Sequence, residues 1–288
     1  MTTQPDKTLV EPIYVRWPVN PDVQANWGDK LNPTLCARLS GRPVIKPVTR
    51  AQRAITPIYS VIGSNLRSAE DNYIVWGSGI MTQDGVVAGK PDIRAVRGPL
   101  SRRRVLELGH ACPDIIGDPA VLYALFYRPV VTPAFDIGVI RHFREADIPG
   151  PVLPPTVSVR DIDITASLET VVDEILSCRA ILSSSLHGSI AAHAYGVPAA
   201  WIRLSDRPLG DGTKFRDYFA SVGHDDVQPF DVQPGGDHHA LMDLPVLPVR
   251  PFDAAALLRA CPFADPARLQ AWLDDCHLIW RRPGAPAA

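Results

Sequence analysis

RAILSSSLHGSIAAHAYGVPAAWI, residues 179–202, reads as strand, helix, strand. Arg179–Ser183 is a short apolar run rich in β-formers. His187–Tyr195 carries small helix-forming residues and is closed by Gly196, and Val197–Ile202 is apolar again. A strand, a helix of one to three turns and another strand within so short a span is the unit of a parallel sheet. The same alternation extends in both directions. Upstream lie strand-like Ile13–Trp17, Pro43–Ile45, Ile58–Gly63, Tyr73–Gly79, Ile93–Pro99 and Asp114–Pro119, then Asp136–Ile140 and Thr156–Val159. Between them fall a helical stretch from after Asp29 to about Leu39, one from Pro99 to about Leu108, the segment Ala120–Tyr127 and a helix over Ser167–Cys178. The last has Leu168, Val171, Val172, Ile175 and Leu176 on one face. Downstream come a helix over Lys214–Ser221, a strand over Val227–Val232 and two helices, Asp253–Ala260 and Pro266–His277. The pattern predicts an α/β fold of two Rossmann-like halves facing a cleft, divided by the Pro-rich stretch Pro129–Pro133. The expected domains are 1–130, 131–250 and a helical tail, 251–288.

Composition narrows the function classes. The 288 residues hold 29 Lys+Arg against 31 Asp+Glu, a formal net charge of −2, with 7% aromatics. Neither a basic field nor stacking platforms argue for nucleic acid. No apolar stretch approaches about 20 residues, so no membrane span is expected. The N-terminal MTTQPDKTLVEP does not read as a secretory signal. Five cysteines, with no C-x-x-C pair, read as reduced thiols in a cytoplasmic protein rather than a disulfide framework or zinc site. His238-His239 lacks further ligands at zincin spacing and reads as a solvent-exposed loop, so no metal is expected.

Ligands of open α/β sheets sit at the carboxyl ends of strands, and the chemistry-bearing motifs lie there. Ser183-Ser184-Ser185-Leu186-His187-Gly188 ends a strand and opens a helix whose N-terminus can hold phosphate, with His187 placed to exchange a proton near neutral pH. The serines can equally cap the helix, and they do not form the G-x-S-x-G of a serine hydrolase. Arg97 ends another strand, where a guanidinium grips carboxylate or phosphate, or pairs with a neighbour. Arg102-Arg103-Arg104 reads as a solvated helix face. Asp29, after Asn26-Trp27-Gly28, is a helix cap or an acid at the cleft. Trp76-Gly77-Ser78-Gly79 is a close-approach turn. Lys214 opposes the dipole at a helix start, which hints at an anion nearby.

In this order and spacing these segments resemble the polysaccharide pyruvyl transferase family. The carriers are Asn26–Asp29, Val75–Gly79, Val96–Pro99, Gly117–Pro119, Ser183–Gly188, Ala194–Pro198 and Lys214–Tyr218. The Trp-Gly-Ser-Gly-Ile and Lys-Phe-Arg-Asp-Tyr-Phe forms look closest to the xanthan- and succinoglycan-type ketal pyruvate transferases. The resemblance implies a fold of the glycosyltransferase-B type and transfer from phosphoenolpyruvate to a sugar, making a pyruvate ketal and releasing phosphate, with no cofactor. It implies a donor site served by Arg97, His187 and Lys214. The chemistry of ketal formation adds His187 as the acid that protonates the methylene and Asp29 as the base for a sugar hydroxyl, with Ser184, Ser185, Leu186 and Gly188 expected at the donor. Asn26, Gly28, Gly77 and Ser78 are expected to line the cleft. The implied acceptor is a lipid-linked oligosaccharide of a bacterial exopolysaccharide, reached from the cytoplasmic face of the inner membrane. Leu269, Trp272 and Leu273, followed by Ile279–Arg282, either make that peripheral contact or close the C-terminal core. A nucleotide-sugar glycosyltransferase of the same fold would instead bind a nucleoside diphosphate. A non-catalytic scaffold of polysaccharide assembly would have no need of Arg97, His187 and Lys214 together.

Overall fold

The computed structural model describes residues 10–18, 26–233, 238, 241 and 251–285. Two five-stranded sheets form, each parallel throughout. The first runs β2 (Val44–Ile45), β1 (Ile13–Arg16), β3 (Ile58–Ser60), β4 (Tyr73–Trp76), β5 (Asp92–Ala95). The second runs β10 (Phe230–Asp231), β9 (Ala199–Arg203), β8 (Cys178–Ser183), β6 (Phe135–Ile140), β7 (Val159–Ile162). Helices α1 (Trp27–Ser40), α3 (Pro99–Glu107), α4 (Leu168–Leu176), α5 (Leu186–Ala194) and α6 (Thr213–Ser221) cover them, with a one-turn α2 (Arg50–Arg53) that sequence reading missed.

Local chemistry sets the boundaries. Asn26 caps α1, its Oδ1 accepting from the Asp29 N–H at 3.2 Å, and Gly41 ends the helix in the left-handed region at φ 65°. Leu31, Leu35 and Leu39 are buried, as their spacing implies. Two expected strands shrink. Asp114–Pro119 contributes a single bridge, Val96 to Ile116, because Gly117 turns at φ 146° and Pro119 starts a 3-10 helix. Val227–Val232 keeps only Phe230–Asp231, since Pro229 has no N–H to give a ladder. The strand expected at Thr156–Val159 lies later in the chain, as β7.

The C-terminal helices α7 (Ala254–Arg259) and α8 (Pro266–Asp275) return to the first sheet's half. Trp76 Nε1 donates to Leu257 O at 2.8 Å, the Phe263 ring packs edge-on to Tyr59 and Trp76, and the Asp265 N–H donates to Leu39 O. The chain then crosses to the second half. The Trp280 N–H donates to Ala194 O, and the Arg282 guanidinium donates to Leu176 O and Cys178 O. One apolar cluster accordingly runs through both halves, from Val15 and Leu31 to Ile181 and Tyr218.

Trp272 is buried against Phe126, which makes it core, and Trp280 packs on Phe252. Of the Trp-Arg-Arg tail that sequence reading held open for lipid, only Arg281 is exposed. Among the described residues no helix is long and apolar enough to cross a membrane. His238 is buried, not solvent-exposed, with Nδ1 accepting from the Val152 N–H. His239, the Pro-rich residues 242–250 and the N-terminal residues 1–9 lie outside the described residues.

Candidate active site

A cavity of about 240 Å3 opens between the two halves, and its walls are almost entirely residues that follow strand ends. Pro18 follows β1, and Asn26 and Asp29 open α1. Gly63–Asn65 follow β3 and Met81 follows β4. From the second half come His142–Arg144 after β6, Leu186 and His187 after β8, and Leu209 and Lys214 after β9. Parallel strands aim their carboxyl ends, and the helix N-termini after them, at one place.

His187 bridges the halves. Its ring lies flat against α1 at Gly28, where a β-carbon would come within 2.3 Å of the imidazole. Nδ1 is 3.0 Å from Asn26 Oδ1. Asn26 Nδ2 donates to Asp29 Oδ2 at 2.6 Å while its Oδ1 accepts from the Asp29 N–H. That fixes the amide's orientation, so His187 Nδ1 carries the proton and Nε2 presents its lone pair. Nε2 is buried with no protein partner. Burial first, then the fields of Lys214, Arg97 and His142, pushes His187 down to about 3, so the imidazole is neutral at pH 7. Asp29 moves oppositely: burial raises it to about 7, against a smaller opposing pull from Lys46. Of the two, the carboxyl rather than the imidazole titrates near neutrality in the unliganded protein.

Lys214, buried on the second turn-residue of α6, has no hydrogen bond and no carboxylate partner among the described residues. Burial, reinforced by Arg97 and Arg144, pulls it down to about 8. Arg144, exposed on the same wall, likewise has no carboxylate partner for its guanidinium among the described residues. Glu145 pulls Lys214 weakly the other way but pairs with neither cation, and two cations without an ion-pair partner beside a neutral imidazole form a receptor for an anion.

Arg97 is elsewhere than expected. Its guanidinium is fully buried behind the cavity wall: Nε meets Asp217 Oδ2 at 3.0 Å, Nη2 donates to Ile80 O and Nη1 to Ser64 Oγ. Asp217 also accepts from the Ser101 N–H and hydroxyl. Arg97 thus reaches the cavity only through Ser64, which lines it. Gly79 and Gly98 make room, since a β-carbon at Gly79 would sit 2.5 Å from Arg97 Cζ and one at Gly98 2.0 Å from Asp217 O.

The serine run is scaffold more than wall. Ser183 Oγ accepts from the Ser185 N–H and donates to Ser185 O. Ser184 Oγ donates to Glu145 Oε2 at 2.6 Å and accepts from the His142 N–H. Ser184 lines a neighbouring cavity of about 400 Å3, of which Lys214 is also a wall. Ser185 is buried at the N-cap of α5, and Gly188 admits Ser183 Oγ and Ile140. Gly77 turns at φ 91° against Pro119, and Ser78 Oγ ties Gly63 O to the Asn65 N–H. Of the residues expected to line the cleft, Asn26 does so. Gly28, Gly77 and Ser78 lie behind, shaping what does. His142 and Arg144 escaped sequence reading. They follow β6 as His187 follows β8, so the strand-end rule itself was the available signal.

A family profile described as polysaccharide pyruvyl transferase matches residues 56–206, just over half of the chain and spanning Arg97 and His187. The chain belongs to the polysaccharide pyruvyl transferase family. An uncharacterized protein of Acanthamoeba polyphaga mimivirus is 30% identical over 224 residues, covering 73% of this chain and 75% of that protein. Membership makes this chain a transferase enzyme, and the family's acceptor is a glycan.

Proposed function

We propose that the chain transfers the pyruvyl group of phosphoenolpyruvate to two hydroxyls of one sugar in a bacterial exopolysaccharide, of the xanthan or succinoglycan type, carried as a lipid-linked repeat. The carrying observation is the interdomain cavity where Lys214 and Arg144 lack an ion-pair partner and His187 Nε2 lacks a hydrogen-bond partner among the described residues. The two parallel sheets with strand ends converging on it fit a glycosyltransferase-B arrangement, with domains 1–130 and 131–250 joined by the tail from 251.

The reaction moves two protons. The C2–O bond to phosphate breaks and two C2–O bonds to the sugar form. Each sugar hydroxyl loses a proton; one reaches the enol methylene, making a methyl group, and the other leaves with phosphate. A bound trianion offsets the fields of Lys214 and Arg97 on His187, so its proton affinity rises and it can protonate the methylene carbon. Asp29, ionised, takes the proton of the first hydroxyl as that oxygen attacks C2. The second hydroxyl returns a proton to His187 as the ring closes, and the proton on Asp29 departs with phosphate. Both groups end as they began. Lys214 and Arg144 hold the donor's charge, Asn26 fixes the imidazole, and the helix N-terminus at Ser185-Leu186 adds its dipole. Ser184 and Gly188 support that turn, and Arg97 places Ser64.

Incubation with phosphoenolpyruvate and mannosyl, glucosyl and galactosyl acceptors should release phosphate and give a mass gain for the ketal. Nucleoside diphosphate binding without phosphoenolpyruvate turnover would replace this reading with glycosyl transfer. The reacting form carries one proton on His187 and none on Asp29, whereas the free protein holds its one proton on Asp29 below about 7 and neither above it, so kcat/KM should be level below about 7 and fall above it. Asp29→Asn should lose both most of the rate and the break near 7; an unchanged break in the variant assigns it to another group.

A further inference from the structure

We propose that His142 donates its Nε2–H to a phosphoryl oxygen of the bound donor and stabilises the departing phosphate. This rests on the reading of the cavity as a phosphoenolpyruvate site. The tautomer follows from the backbone. The Arg144 main-chain N–H can only donate, and it points at His142 Nδ1 at 3.2 Å. Nδ1 is therefore the bare nitrogen and Nε2 carries the hydrogen. The ring lines the cavity, and Nε2 has no hydrogen-bond partner among the described residues. His187 has the opposite tautomer, so the two imidazoles offer one donor and one acceptor to the same space.

The ring is held before any ligand arrives. It stacks on Phe143 at 4.3 Å between centroids. The His142 main-chain N–H donates to Ser184 Oγ at 2.9 Å, and that hydroxyl donates onward to Glu145 Oε2. Glu145 is fully buried and takes a second hydroxyl, from Ser205, at 2.6 Å. A donor positioned by an internal network loses little by reorganising when charge develops, which is the setting in which one hydrogen bond accelerates a reaction most. Burial, then Lys214 and Arg144, keeps the imidazole uncharged, its affinity for a proton pushed down to about 3. The His142 Nδ1 lone pair is already taken by the Arg144 N–H, whereas the His187 Nε2 lone pair is free, so His142 acts through a hydrogen bond and the proton path stays with His187 and Asp29. The flanking cations carry the phosphoryl charge, while the N–H meets the charge that builds on the phosphate as the C2–O bond breaks.

The test compares His142→Leu with His142→Gln, whose amide can place an N–H near Nε2. Loss of one such donor typically lowers kcat roughly 10²–10³-fold. The leucine variant should show that loss and the glutamine variant should recover a large part of it, with thermal melts confirming both are folded. A folded leucine variant at wild-type kcat, or glutamine no better than leucine, overturns the proposal. Independently of any variant, the imidazole 15N–1H signals of wild-type protein should show His142 protonated at Nε2 and shifting on titration with inorganic phosphate. A Nδ1–H tautomer, or no shift at saturating phosphate, also overturns it. A shift with phosphate in a protein that never turns over phosphoenolpyruvate would leave the phosphoryl contact standing and remove the pyruvyl reading.

Discussion

Replacing His187 with alanine is expected to cut turnover roughly 10²–10⁴-fold, the usual loss when a general acid–base group is removed, with the fold retained. The ring is tied to the rest of the protein by one hydrogen bond, Nδ1 to Asn26, and by contact with Gly28. Truncation enlarges a cavity that already exists, so the structural cost is small beside the chemical one. Nε2 is the nitrogen that matters, buried at the cavity with its lone pair free of protein partners. Single-turnover phosphate release, alongside a melt of the same sample, separates the two effects. A folded variant with near-normal turnover would take His187 out of the proton path. A second readout checks the cause: if the bound trianion raises the imidazole's proton affinity, wild-type protein should take up a proton on binding phosphoenolpyruvate near pH 8, where Asp29 is already ionised, and the alanine variant should take up less.

The strand–helix–strand rhythm was legible because each unit is local. Ser167 caps α4 and Gly196 follows α5 within a turn of where periodicity places them. What composition and spacing could not supply were the partners distant in sequence. Arg97 at a strand end looks like a ligand clamp until Asp217, 120 residues away, takes its guanidinium. Ser184 looks like a phosphate ligand until Glu145 accepts its hydroxyl. Asp29 looks like a cap; it is one of a pair with Asn26, and only burial makes it titrate near neutrality. His142 and Arg144 sit in RHFREAD, a stretch whose charge resembles any solvated loop. The motif glycines were seen as turns, whereas Gly28, Gly79 and Gly98 are there because another segment's side chain or backbone occupies the place of their β-carbons.

Arg97→Lys should therefore be read first as a loss of stability and only then as a change in donor binding. Arg97 and Asp217 have no exposed side-chain surface and join α6 of the second half to the strand-end loops of the first. Lysine cannot reproduce three divergent N–H contacts from one planar group. Whichever contacts it keeps, Ser64 or Ile80 O loses its donor, and Asp217 keeps only Ser101 and an ammonium that no longer matches its geometry. Removing one partner of a buried pair outright typically costs about 3–5 kcal/mol, an upper bound here because lysine keeps the charge. For a protein of this size that is a fall in Tm on the order of 10 °C. Donor KM should rise as well, because Ser64 lines the cavity and Arg97 holds it. The decisive variant is the double exchange Arg97→Met/Asp217→Leu, which leaves neither charge stranded. It should recover much of the melting temperature while the donor KM stays high, since no cation then stands behind Ser64. An Arg97→Lys protein with an unchanged melt and altered donor KM alone would put the guanidinium back on the cavity wall. Unchanged values of both would mean the pair serves neither the fold nor the site.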